Sequence, residues 1–113
     1  MAKLADYNGF THAQRIASLA KTKAAILSGG IPKPTKCEFC GQTKGIIQYH
    51  NEDYSHPTKY LRVWCWRCHM MHHSRNRAPE AVKAYFDAVS AGKKFAPVYR
   101  HDFKILADEH GVK

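Results

Sequence analysis

Two Cys-x-x-Cys pairs, Cys37-Glu38-Phe39-Cys40 and Cys65-Trp66-Arg67-Cys68, constrain this chain more than any other feature, and they contain every cysteine in it. A Cys-x-x-Cys turn aims two sulfurs at one point. Two such turns complete a closed tetrahedral site for one soft ion and leave no coordination position open for catalysis. The spacing therefore predicts one structural zinc per chain, held by Cys37, Cys40, Cys65 and Cys68. An iron cluster uses the same ligands, and a dithiol redox pair uses the same turn. The redox reading needs one pair after a strand in a βαβ pattern, which this chain does not supply. At 113 residues the sequence reads as a single domain, 1–113, in which a metal staple supplements a small core. No run approaches a membrane-spanning length, and Met1-Ala2-Lys3-Leu4 opens no apolar signal core. The expectation is a chain without membrane association in a reducing cytoplasm, where cysteines favour metal over disulfides.

Charge adds a partner class. Lys and Arg number 18 against 9 Asp and Glu, a formal +9. Within residues 1–36, Lys3, Arg15, Lys21, Lys23, Lys33 and Lys36 oppose Asp6 alone, and Arg62, Arg67, Arg75 and Arg77 surround the cysteine unit. Such a field attracts polyanions, nucleic acid before acidic protein. The plainer reading is a solvated basic surface. Lys21, Lys23, Arg62, Arg67 and Arg75 are the candidate phosphate contacts.

Three segments follow one another. Residues 1–36 hold a basic helix and a linker. Thr11-His12-Ala13-Gln14 has the form of a capping box, Ile16, Leu19, Ala20, Lys23 and Leu27 keep helical spacing, and Gly29-Gly30 provides the stop. Ile31-Pro32-Lys33-Pro34 is a stiff exit. Residues 37–77 form the cysteine unit. Residues 78–113 are a helical extension: Pro79 opens a helix with Val82, Tyr85, Phe86 and Val89 on one face and Gly92 after it. Lys93 to Arg100 is a loop, and Asp102 caps a last short helix through Phe103, Leu106 and Ala107. The apolar stripes on these flanking helices are predicted to be core.

Inside the cysteine unit, Gly41 to Gly45 is a turn, Ile46-Ile47-Gln48-Tyr49-His50 a strand, residues 51–57 a polar loop, and Tyr60-Leu61-Arg62-Val63-Trp64 a second strand. A helix opens from His69. Knuckle, hairpin, knuckle and helix in that order make a treble clef, so the fold class is a small α+β zinc domain flanked by helices. His69 and His73 stand at i and i+4, on one helical face, so two imidazoles can share an ion. Contact with phosphate or with water is the alternative. His72 points elsewhere, as a surface or nucleic-acid contact. Tyr60, Trp64 and Trp66 can stack on bases, although aromatics in so small a fold more often fill the core.

The run Cys37–Cys40, His50 within Tyr49-His50-Asn51-Glu52-Asp53-Tyr54, and Cys65–Cys68 followed by His69 and His73 resembles the HNH group of His-Me finger (ββα-metal) endonucleases, in the subgroup braced by a four-cysteine zinc site. It is similar also to small phage and bacterial proteins of this pattern. The resemblance covers residues 37–73. It implies a nuclease acting on phosphodiesters of nucleic acid, DNA first, located in the host cytoplasm if phage-encoded. His50 would be the base that deprotonates water, and a single divalent ion (Mg, Mn or Ni) would lie at His69 and His73, with His50 a further ligand. The chain departs from the family at the strand end, where two adjacent polar residues are usual. Here either Tyr49 precedes His50 or Asn51 follows it. Tyr60 stands where the family has an Asn, no Lys follows on the helix, and Glu52 or Asp53 would have to serve as oxygen ligand. Two functions remain open: a metal-dependent nuclease, or a catalytically degenerate zinc module that binds nucleic acid or acts as an adaptor on a protein partner.

Overall fold

The computed structural model describes residues 7–112, so Lys3, Asp6 and the Met1-Ala2-Lys3-Leu4 start lie outside the described residues. Among these residues the elements run α1 (His12–Ser28), β1 (Ile47–His50), β2 (Arg62–Cys65), α2 (Trp66–His73), α3 (Pro79–Ser90) and α4 (Lys104–His110), and the strands pair as one antiparallel hairpin. The class is α+β, as expected. Contacts divide the chain into two units, Met1–Lys33 with Tyr49–Arg62, and Pro34–Gln48 with Val63–Lys113.

In the first unit, Thr11 and Gln14 form the predicted capping box. The Thr11 hydroxyl accepts from the Gln14 N–H at 3.3 Å, and the Gln14 side-chain oxygen accepts from the Thr11 N–H at 2.8 Å. Gly29 closes α1 at φ 81°, a left-handed cap that suits glycine. The buried face differs from the expected leucine stripe. Ser18 and Thr22 are buried, while Leu19 is exposed and Leu27 is 79 % exposed. The Thr22 hydroxyl lies 3.1 Å from the Ser18 carbonyl and 2.5 Å from that of Pro57. Small side chains let the 49–62 backbone approach the helix, a closeness that leucines would block, and the leucines are left on the outside. Buried Tyr54 anchors this unit, edge-on to Tyr7 and Phe10, with the Arg15 guanidinium 5.4 Å from its ring centre.

The second unit has its core in Trp66, Met71, Val82, Tyr85, Val89, Val98, Leu106 and Val112, gathered around Cys37, Cys65 and Cys68. Helix α3 places Val82, Tyr85 and Val89 inward, as its periodicity predicts, and Pro79 stands at its start. Helix α2 begins at Trp66, earlier than the expected opening at His69, because the Cys65 sulfur itself caps it by accepting from the Cys68 N–H at 3.4 Å. Helix α4 starts at Lys104, whose N–H donates to Asp102. Gly45, at φ 73°, lies so close to Val98 that the next residue's N–H reaches the Val98 carbonyl at 2.8 Å. Tyr60, expected at the head of the second strand, falls outside β2.

Candidate metal centre

The ligand sulfurs of Cys37, Cys40, Cys65 and Cys68 all lie within 4.8 Å of one another, and none is in a disulfide. Cys40 and Cys65, one from each pair, are 3.7 Å apart. A tetrahedron with metal–sulfur bonds of about 2.3 Å has edges of about 3.8 Å, so this separation fits a shared ion. Local bonds shape each knuckle. The Gly41 N–H donates to the Cys37 carbonyl at 3.0 Å, and the Cys40 N–H faces the Cys37 sulfur at 3.5 Å. The two knuckles are brought together by Glu38, whose N–H donates to the Val63 carbonyl at 2.8 Å and whose carboxylate accepts from the Val63 N–H at 2.6 Å. The Tyr85 hydroxyl reaches the Cys68 sulfur at 3.0 Å.

Electrostatically the sulfurs divide too few charges among themselves. Donation from Cys40, then from Cys65 and Cys68, pulls the Cys37 thiol far down. At Cys40, Cys37 acts in the opposite direction, but donation from Cys65 and Cys68 outweighs it and brings the thiol to about 7. Cys65 and Cys68 are pushed up, first by their bonds to Cys37. Four thiolates in one largely buried cluster repel, and a divalent cation relieves all four at once while releasing their protons. An all-sulfur donor set favours a soft ion. These four cysteines can hold a metal such as zinc.

Directly after this centre, α2 carries the histidine pair. His69 and His73 approach Nε2 to Nε2 at 3.1 Å. His69 Nδ1 lies 2.9 Å from the Gln48 side-chain oxygen, which can only accept. The proton is therefore at Nδ1, and His69 Nε2 turns a lone pair toward His73. Two imidazole nitrogens bound to one ion at about 2.1 Å stand roughly 3.0–3.4 Å apart, depending on geometry, which matches this approach. His72, expected to point elsewhere, stands at i+3 from His69 and shares that side of the helix, and half-buried Trp64 lies against both, 4.7 Å from the His72 ring and 6.1 Å from the His69 ring.

In the other unit, His50 ends β1 with 1 % exposure, and its Nε2 is 3.0 Å from the Glu52 carboxylate. Glu52 is itself held by the Tyr7 hydroxyl at 2.7 Å and by the Asn8 side-chain amide. Sequence reasoning assigned nothing to Tyr7 or Asn8. The Asn8-Gly9 dipeptide signals a turn but does not say what the turn holds. Both neighbours of His50 are occupied structurally. The Tyr49 hydroxyl donates to the Pro32 carbonyl. Buried Asn51 donates to the His56 carbonyl at 3.3 Å and accepts from the Asp53 N–H at 2.9 Å. Asp53 is held below the usual carboxylate range by its bonds from the Ser55 hydroxyl and N–H, so it serves its own turn.

The basic candidates separate. Lys21, Lys23 and Arg62 are exposed, and Arg75 is half-buried with its guanidinium on the His72 carbonyl at 3.0 Å. Arg67, expected to contact phosphate, is 3 % exposed. Its guanidinium meets Glu109 at 3.1 Å, the Ala96 carbonyl at 3.1 Å and His110 Nε2 at 2.7 Å, so it is a core residue of its unit. The third position of the Cys65–Cys68 turn, at a helix start, faces inward here, which its charge alone did not reveal.

No protein-family model matches the chain, and no curated protein or solved structure matches it significantly. Among the described residues, no helix is long and apolar enough to cross a membrane.

Proposed function

We propose that this protein is an HNH-like, metal-dependent nuclease on a treble-clef scaffold, with zinc in the four-cysteine centre and a divalent ion (Mg, Mn or Ni) at His69 and His73. The observation that carries the reading is the imidazole pair. Gln48 holds the His69 proton at Nδ1, and the two Nε2 atoms face each other at 3.1 Å. Two ring nitrogens at that distance are joined either by a hydrogen bond or by a shared cation, and the cation is the one proposed. His50, with the Glu52 carboxylate 3.0 Å from its Nε2, would be the base that takes the proton of an attacking water. A bound divalent ion would supply Lewis-acid stabilisation to the phosphorane and the leaving 3′ oxygen. Lys21, Lys23, Arg62, Arg75 and His72 would grip the phosphates, with DNA the first substrate.

The test is nicking of supercoiled plasmid with Mg²⁺, Mn²⁺ or Ni²⁺. Wild type should nick, His50→Ala and His73→Ala should not, and both variants should keep their zinc and their DNA affinity. No nicking with any of these ions refutes the enzyme. One observation favours the second reading, a zinc module that binds nucleic acid without cutting it: Tyr49 and Asn51 are both committed to structural bonds, so neither supplies the second strand-end group. Salt-sensitive DNA binding without cleavage would establish that module, and absence of binding at low salt would favour a protein partner.

A further inference from the structure

Tyr60 is held in a backbone conformation that its own fold does not reward. Its φ is 59°, in the left-handed region, which crowds the Cβ of a ring-bearing residue. Asn8, the other non-glycine residue described with positive φ, belongs to a type that tolerates it and bonds Glu52. The Tyr60 ring, by contrast, is 77 % exposed, so burial does not offset the strain. Residues held in such conformations persist where surrounding structure forces them, commonly at functional positions.

The surrounding structure is well defined. The His56 ring meets the Tyr60 ring edge-on at 5.5 Å and 89°, and His56 Nε2 lies 3.7 Å from the Asp53 carboxylate. Two successive turns, His56 N–H to the Asp53 carbonyl and Lys59 N–H to the His56 carbonyl, shape the loop. The Asn51 amide ties it from below, and Thr22 of α1 binds it at the Pro57 carbonyl. The ring so presented has exposed cations beside it in sequence, Lys59 and Arg62, while exposed Lys21 and Lys23 flank Thr22 on the helix. Trp66 is fully buried and Trp64 packs on His72, so of the three aromatics that sequence marked for stacking only Tyr60 offers its faces to a ligand.

We propose that Tyr60 is a stacking platform for an unpaired nucleobase, and that the 51–62 loop gives this protein a preference for single-stranded or locally opened nucleic acid over intact duplex. An aromatic face flanked by Lys and Arg is the chemistry by which single strands are held without sequence readout. The inference rests on the nucleic-acid reading above, for nuclease and module alike.

The experiment uses the full-length, zinc-loaded chain and a single-stranded oligonucleotide carrying 2-aminopurine, whose fluorescence is quenched on stacking. Wild type should quench the probe and bind the single strand more tightly than its duplex. Tyr60→Asn, which accepts a left-handed backbone without a ring, should lose the quench and bind the single strand about tenfold more weakly, as one lost base stack predicts. Its Tm should equal or exceed that of wild type. Tyr60→Phe should keep both quench and affinity. Unchanged quench and affinity in Tyr60→Asn, or a sharply lowered Tm in that variant, overturns the stacking role while the nucleic-acid reading stands. Absence of binding to either strand form overturns both.

Discussion

Replacing Tyr85 by Phe removes one atom from the four-cysteine centre and leaves its packing in place. The ring is stacked on Phe95 at 5.2 Å and meets Phe86 and His110 edge-on, contacts that Phe retains. The hydroxyl lies 3.0 Å from the Cys68 sulfur. Burial, and then the charge of Cys68, push the phenol well above its usual range, so it stays protonated and donates to the sulfur. A hydrogen bond to a charged acceptor contributes about 1.5–3 kcal/mol, reduced by the cost of burying the hydroxyl in the first place. A net loss of about 1.5 kcal/mol corresponds to zinc held roughly tenfold more weakly. Competition against a chromogenic chelator measures this directly, with metal content at saturation checked by elemental analysis. Tyr85→Phe should still take up one zinc per chain, and it should release the metal at about a tenfold lower chelator concentration. An unchanged competition curve would refute the argument that the phenol stabilises a metal-bound thiolate.

Gly45→Ala would place a Cβ 2.4 Å from the Val98 carbonyl oxygen at φ 73°. The left-handed penalty and the threatened Ile46–Val98 bond together cost about 3 kcal/mol, so Tm should fall by more than about 10 °C in a thermal melt, and an unmoved Tm would falsify the close approach. Arg67→Ala should lower stability by about 2 kcal/mol in a denaturant titration and leave the salt dependence of DNA binding unchanged; a flattened salt slope would return Arg67 to the nucleic-acid surface. His110 is held below its ordinary value by burial and then by the Arg67 charge, so the folded state binds fewer protons than the unfolded state just below the unfolded pKa of about 6.5. Stability should therefore decline as pH drops from about 7.5 to 6, and His110→Gln should weaken that decline; identical pH–Tm slopes would contradict it.

Local signals in the sequence were legible because local physics decides them. The capping box at Thr11 and Gln14, the Gly29 stop, Pro79 at the head of α3 and the inward face of Val82, Tyr85 and Val89 follow from backbone rules and periodicity. The four-cysteine cluster follows from spacing. What sequence could not supply lies in contacts made across the chain. Leu19 and Leu27 keep helical spacing, yet the buried face is set by how closely the 49–62 backbone approaches Ser18 and Thr22. Arg67 looks like any other basic side chain until Glu109 and the Ala96 carbonyl are placed against it. The Tyr7 and Asn8 hold on Glu52 spans more than forty residues, and no short-range pattern announces it. At the histidines, spacing gave the shared face of His69 and His73, while the tautomer came only from finding Gln48 at His69 Nδ1.

Cys65 ends β2, caps α2 with its sulfur, and offers that same sulfur to the four-cysteine cluster. On the two-ion reading proposed above, this would impose an order of loading. The first turn of α2 is tied to the Cys65 sulfur, and His69 is the residue after Cys68, so drawing the thiolates together would steady the imidazole pair. A newly made chain would take up its soft ion first and gain affinity for a harder one afterwards. Prolonged thiol oxidation would erase both affinities in a single event, however intact the histidines remained.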